Sequence, residues 1–344
     1  MFDIEFAHPM RIPLAGLARL DPGALQLLEE AATQDGVFYL DPHMQDGSMP
    51  DPTRQDRAAC LELANDLLKS SAYDLLQYDI DEVGRYKLDG YKPMGRNAGV
   101  TEKALDWFEA FLISHDQMCN DALDEQRISY PEAIESRRRF LKSHIDSFHQ
   151  MGQVILQSLS VICHLDADES FCQRHRQNLQ SISAFGVLRY PALDKESTHL
   201  CHGAHTDVGS ITFLSTTDYG LQFQEPTSEA WRLIEPRDEL LLVNIGDSLR
   251  FMSNMRFRSS LHRVVPFPRK ANKDRYSWAY FMRPNYDAEF RDSEGKLWKS
   301  IEWHTAKYSV FRAPLSEQQA SSILTGKKGY VGLWSRSREE DMES

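Results

Sequence analysis

The sequence predicts an α+β protein: a largely helical first half, then an antiparallel sandwich or jelly roll of short strands. Three observations predict it. Up to about residue 180 the apolar residues recur every three to four positions. Beyond that point the apolar runs are short and β-like. Turn signals separate several of them, at Asp218-Tyr219-Gly220, Glu225-Pro226, Glu235-Pro236, Asn244-Ile245-Gly246-Asp247 and Pro266.

Each element follows from local chemistry. Asp21-Pro22 supplies a cap and a first-turn proline for a helix with Leu25, Leu28 and Ala31 on one face, stopped by Asp35-Gly36. Residues 37–40 read as a strand. Asp51-Pro52 opens a second helix bearing Leu61, Ala64, Leu67 and Leu68, and a third is expected over 102–123. A long fourth helix spans 131–163, where Leu141, Ile145, Phe148, Met151, Ile155, Leu159 and Ile162 form an apolar stripe, a spine on which a sheet can pack. Strands are expected at 184–190, 205–214, 221–224, 231–234, 240–243, 248–252, 259–265 and 276–281. That divides the chain into a mixed region 1–130, the spine and its connection 131–180, a β core 181–290 and an extension 291–344 whose end is helical, then basic and polar.

The 344 residues are 41% hydrophobic and 26% charged, a soluble globular composition. The formal charge of -12 argues against a nucleic-acid partner and against docking on an anionic membrane. No apolar run approaches a membrane span, and the N-terminus does not read as a secretory signal. The five cysteines, Cys60, Cys119, Cys163, Cys172 and Cys201, are scattered and include no C-x-x-C. A reducing, cytoplasmic location is therefore expected, with no disulfide scaffold, no thiolate zinc site and no obligate protein partner evident.

The pattern His-x-Asp/Glu would arise roughly twice by chance, and three cases occur, at His144/Asp146, His164/Asp166 and His205/Asp207. Geometry separates them, because residues two apart diverge on a helix and share a face on a strand. His144 and Asp146 fall in the long helix and read as a helix-surface pair beside the core stripe. His164 and Asp166 lie at its end, where dipole and capping explain them. His205 and Asp207 open a β-like segment, and His262 in another such segment offers a third ligand. Two imidazoles and a carboxylate on one face suit a non-haem Fe(II) oxygenase. A catalytic zinc ion is the chemical competitor. On an extended chain His202 points away from His205, so His199 and His202 read as loop histidines. Arg275 and Ser277, two apart on a strand, form a grip for a carboxylate. Phe281 shares their parity and is a pocket candidate, with Val208, Met252 and Asn254.

Further motifs run in order along most of the chain: Ile12-Pro13-Leu14-Ala15, Asp35-Gly36-Val37-Phe38-Tyr39, Gly90-Tyr91-Lys92-Pro93, Leu188-Arg189-Tyr190-Pro191, Gly203-Ala204-His205-Thr206-Asp207, Gly220-Leu221-Gln222, Asn244-Ile245-Gly246-Asp247, Leu261-His262-Arg263-Val264 and Arg275-Tyr276-Ser277. Together they resemble the isopenicillin N synthase-like family of Fe(II)/2-oxoglutarate dioxygenases. The resemblance implies a double-stranded β-helix, that is a distorted jelly roll, flanked by helices. It implies Fe(II) on His205, Asp207 and His262, with O2 as oxidant. It implies 2-oxoglutarate as co-substrate, its far carboxylate on Arg275 and Ser277 with a hydrogen bond from Tyr190. Many members carry Asn where this chain has Leu188, so one co-substrate contact is missing. Asn244 and Gly246 are read as turn residues without chemistry. The expected activity is oxidation of a C–H bond of a small metabolite, by hydroxylation, desaturation or rearrangement, in biosynthetic tailoring. The alternatives are a 2-oxoglutarate-independent iron oxidase on the same fold and a non-catalytic metabolite-binding protein.

Overall fold

The computed structural model describes residues 5–44, 56–69, 72–97, 106–120, 127–192, 202–266 and 273–326. His199, Cys201, the Asp51-Pro52 helix start and the basic tail lie outside the described residues. In chain order the first elements are β1 (Arg11–Pro13), α1 (Leu14–Ala18), α2 (Pro22–Gln34), β2 (Val37–Asp41), α3 (Asp56–Leu68) and α4 (Ala72–Leu75). Next come β3 (Gly90–Lys92), β4 (Glu109–Ser114), α5 (His115–Cys119), α6 (Glu132–Glu135) and α7 (Arg138–Ile162). The β-rich part holds β5 (Ala184–Tyr190), β6 (His202–His205), β7 (Ile211–Thr216), β8 (Leu221–Gln224), β9 (Trp231–Leu233), β10 (Leu241–Ile245), α8 (Asp247–Met252), β11 (His262–Val264) and β12 (Arg275–Met282). The hairpin β13 (Glu289–Arg291) and β14 (Leu297–Lys299) leads into α9 (Ser300–Arg312) and α10 (Leu315–Ala320).

Two sheets face each other. The larger runs β1-β2-β10-β7-β12-β5-β4-β3 and the smaller β6-β11-β8-β9. Only β1–β2 pairs parallel among these strands. Alternation along β12 separates two cores. Tyr276, Trp278, Tyr280 and Met282 enter the main core with Leu141, Ile145, Phe148 and Met151 of α7. The opposite face looks toward the smaller sheet, where Leu188, Tyr190 and Leu242 meet Leu221, Phe223 and Val264. Helices thus cover one face of the large sheet, and the other closes the jelly roll, as the alternating pattern of β12 requires.

Several expected elements differ. The expected helix over 102–123 contains β4 instead. Its Phe111 and Ile113 join the helix-side core while Phe108 and Ala110 join the inter-sheet core. A strand apolar on both faces lacks the alternation that would distinguish it from a helix. The segment 248–252 is helix α8 rather than a strand, beginning at Asp247. The expected helix over 131–163 is interrupted at Arg137 (φ -108°, ψ 11°), whose guanidinium turns to the Ala133 carbonyl and Asp66. The expected strand 205–214 breaks after His205 and resumes at Ile211 in the other sheet.

His144 is not at the helix surface. It is 1% exposed, its ring packed among Phe140, Phe148 and Phe185. Its Nδ1 lies 2.7 Å from Asp56 Oδ2 and its Nε2 3.4 Å from Cys60 Sγ, which ties α7 to α3. Its role is packing. His144→Ala should cost about 2–4 kcal/mol in urea unfolding, the range for emptying a buried large side chain, while metal content of the folded protein stays at the wild-type level.

Candidate active site

The two sheets meet the ligand set where β6 pairs with β11. His205 stands opposite His262 in this antiparallel pair, with ring centroids 4.3 Å apart. The strand ends there, and the bend over 206–210 swings Asp207 back toward the pair, its Oδ1 3.8 Å from His262 Nε2. Ligating atoms of all three residues lie within 4.8 Å of one another. The expected strand parity is therefore not what unites His205 and Asp207; a turn does it.

The bend has its own packing requirement. Gly246 N bonds to the Ser210 carbonyl at 3.0 Å, and Asp247 N to the Asp207 carbonyl at 2.8 Å. A Cβ on Gly246 would stand 2.3 Å from the Gly209 carbonyl oxygen, and one on Gly209 would stand 2.7 Å from that of Met282. The Asn244-Ile245-Gly246-Asp247 stretch is thus a close backbone brace behind Asp207, with Asn244 inside β10 rather than in a turn.

The imidazoles are pre-set. His205 Nδ1 donates to the Gly203 carbonyl at 2.7 Å, and His262 Nδ1 to the Ser260 carbonyl at 3.0 Å. A carbonyl can only accept, so each Nδ1 carries a proton and Nε2 is the atom each ring can offer to an ion. Burial, then the facing His262, pushes His205 down to about 3, which keeps it neutral. Asp207 Oδ2 is buried without a hydrogen-bond partner, a position a cation would satisfy. Two imidazole nitrogens and one carboxylate with open positions fit Fe(II).

Arg275 and Ser277 lie on the inter-sheet face of β12. They stand opposite Tyr190 and Leu188 of β5. The Arg275 guanidinium lies 4.8 Å from the Tyr190 ring centroid and its Nε donates to the Asp218 carbonyl at 3.1 Å. Ser277 Oγ donates to Thr216 Oγ1 at 3.1 Å. Phe281 shares this face further along β12 and is half-buried. Val208 and Met252 belong to an apolar cluster with Phe251, Phe290 and Trp303 behind the bend. Asn254 is exposed, in a left-handed turn after α8 (φ 51°), so it is not brought to the ligand set.

His202 is on β6, not in a loop. A bulge places two residues between His202 and His205 against one between their partners Val264 and His262. The extra residue reverses the alternation, so the His202 ring stacks on His205 at 4.2 Å. Phe108 continues the stack, 4.5 Å from His202 and 5.5 Å from Tyr190. Phe311 of α9 closes on His205 at 5.4 Å. An aromatic wall therefore runs from His205 to the ring beneath Arg275. The H-x-x-H spacing is its only sequence signal, and it carries no information about a bulge.

Residues 170–284 match the 2OG-Fe(II) oxygenase superfamily. Over 326 residues the chain is 34% identical to the 2-oxoglutarate-dependent dioxygenase gloE of Glarea lozoyensis, covering 94% of each. The chain belongs to the 2OG-Fe(II) oxygenase superfamily. This oxygenase is also 31% identical over 336 residues to the oxidoreductase vrtI of Penicillium aethiopicum, covering 94% of this chain and 78% of that one. Its fold is shared by a Neurospora crassa protein solved in complex with alpha-KG and thymine, at a TM-score of 0.68 and 20% identity over 90% of this chain and 98% of that one. As a 2-oxoglutarate-dependent dioxygenase it uses Fe(II) and 2-oxoglutarate. Among the described residues no helix is long and apolar enough to cross a membrane.

One further pair supports the oxygenase site from behind. Lys307 of α9 is fully buried, its Nζ 2.5 Å from Asp247 Oδ2 and 2.7 Å from Thr206 Oγ1. Thr206 N also bonds to the Leu324 carbonyl at 2.8 Å. The extension is thereby tied to the residue between His205 and Asp207. Removing one partner of a buried pair strands the other charge. Lys307→Ala should lose about 3–5 kcal/mol in urea unfolding, and Lys307→Met should fare no better, because Asp247 stays buried in both.

Proposed function

We propose that the oxygenase holds Fe(II) through His205, Asp207 and His262, grips 2-oxoglutarate with Arg275, Ser277 and Tyr190, and oxidises a C–H bond of a small metabolite. The reading rests above all on three ligating side chains converging with both histidine Nδ1 atoms tied to backbone carbonyls. Bound there, Fe(II) supplies the O2 chemistry that couples substrate oxidation to conversion of 2-oxoglutarate into succinate and CO2.

The chain's own residues do the rest. The Gly203 and Ser260 carbonyls engage both Nδ1 atoms and so orient the rings with Nε2 as the ligating atom. Asp207 contributes the anion of the triad. Arg275 supplies the charge-assisted contact to the far carboxylate of 2-oxoglutarate, and its bond to the Asp218 carbonyl orients the guanidinium. The Ser277 hydroxyl adds a second donor, with Thr216 beside it. Tyr190 lies against the guanidinium and contributes its hydroxyl. Leu188 keeps this end of the pocket apolar, so the grip depends the more on Arg275. His202, Phe108 and Phe311 exclude water from the reacting centre and offer flat faces to the substrate. Phe281 lines the far end of the same face, while Val208 and Met252 back the bend. A small substrate agrees with the thymine named in the Neurospora crassa complex, and metabolite tailoring is the setting we infer.

A metabolite panel incubated with Fe(II), 2-oxoglutarate and O2 tests this. The expected result is one succinate per substrate consumed, with a product gaining one oxygen or losing two hydrogens. Substrate loss without succinate overturns the reading.

Two variants separate the parts. Asp207→Ala should bind no Fe(II) at the wild-type affinity while its circular dichroism is unchanged. Arg275→Gln should keep Fe(II) and raise the KM for 2-oxoglutarate, by the equivalent of about 2–5 kcal/mol if the far carboxylate remains buried. Steady-state kinetics against 2-oxoglutarate measures this.

A further inference from the structure

A second group of ligating side chains lies on the helix-covered side of the large sheet. His115 and Cys119 stand four apart on α5, hence on one side of it, and Asp146 meets them from α7. A ring nitrogen of His115, Cys119 Sγ and an Asp146 carboxylate oxygen all lie within 4.8 Å of one another. His115 is 2% exposed, yet neither ring nitrogen has a hydrogen-bond partner. A buried imidazole ordinarily finds at least one. Asp116 Oδ1, also buried and without a hydrogen-bond partner, is 3.6 Å from His115 Nδ1, close enough to polarise the ring but not to bond it. The neighbouring His149 is already engaged, its Nδ1 3.2 Å from the Tyr280 hydroxyl and its Nε2 3.2 Å from Gln153 Nε2. Gln177 Nε2 donates to Asp146 Oδ1 at 2.9 Å and steadies that carboxylate.

We propose that His115, Cys119 and Asp146 form a second metal site, for a zinc-class divalent cation, that clips α5 to α7. Charge supports the choice. A thiolate, a carboxylate and a neutral imidazole cancel a charge of two, as a largely buried site requires. Without a cation, burial and then Asp146 raise the Cys119 pKa far above its ordinary value and keep the thiol protonated; metal binding releases that proton to solvent. One sulfur, one nitrogen and one oxygen donor suit zinc, whereas the His205, Asp207 and His262 set contains no sulfur. Cys119 and Asp146 are half-buried, which leaves a route for the ion and a fourth position for water. The large sheet separates the two sites: Tyr280, beside His115, points to the α7 side of β12, and Ser277 points to the other.

Cobalt(II) reads the two sites apart, because only a thiolate ligand gives a near-ultraviolet sulfur-to-cobalt band. Metal-free protein titrated with Co(II) should bind two equivalents per chain, one of them bringing this band. Zn(II) added afterwards should abolish the band. Asp207→Ala should keep the band and bind one equivalent, so a failure of the iron triad is distinguished from a failure of this site. Cys119→Ser should lose the band and keep Fe(II) binding. Asp146→Asn, which preserves shape, should weaken Co(II) at the band-forming site at least tenfold. A wild-type titration with no band, a band that survives Cys119→Ser, or an unchanged affinity in Asp146→Asn overturns the proposal.

Discussion

The catalytic arrangement depends on holding residues 206–210 in a bend that no regular ladder supports. His205 is fixed by pairing with His262 across two strands. Asp207 has no strand of its own and must be held by what lies behind it. The Asp247 backbone amide binds its carbonyl, Gly246 lets the two backbones approach, and Lys307 neutralises the Asp247 side chain where water cannot. These contacts hold the carboxylate in place relative to two imidazoles positioned by strand pairing. A facial ligand set is a geometric object, and displacement of one donor spoils the set as surely as its removal.

Much of the fold is legible in the sequence, for reasons that can be named. The stripe on α7 survives because every member enters the core, and β5 and β12 read cleanly because their alternation separates two different cores. Where alternation vanishes, legibility vanishes with it. In β4 both faces are buried, so period and helix propensity give conflicting signals. Helix α8 is six residues long, below the length at which a helical period declares itself.

At the site, residue identity is easier to read than residue placement. His205, Asp207, His262, Arg275 and Ser277 stand out by type and spacing, and the folded chain draws the first three together. A shared strand face is not the physical reason for the first pair, since a bend unites them. The same arithmetic fails for His202, because a single bulged residue in β6 inverts the parity of everything before it. Lys307 and Phe311 leave no trace as site residues, since they lie more than 90 positions from the bend they support and only the folded chain brings them to it.

The buried contact from α9 also makes the bend depend on a later part of the chain. A chain emerging from the ribosome presents His205, Asp207 and His262 well before Lys307. Burying Asp247 without Lys307 would strand its charge, so the brace behind Asp207 draws on a helix that follows all three residues in the chain. A change confined to α9 can therefore reach the cluster without touching any of its three members.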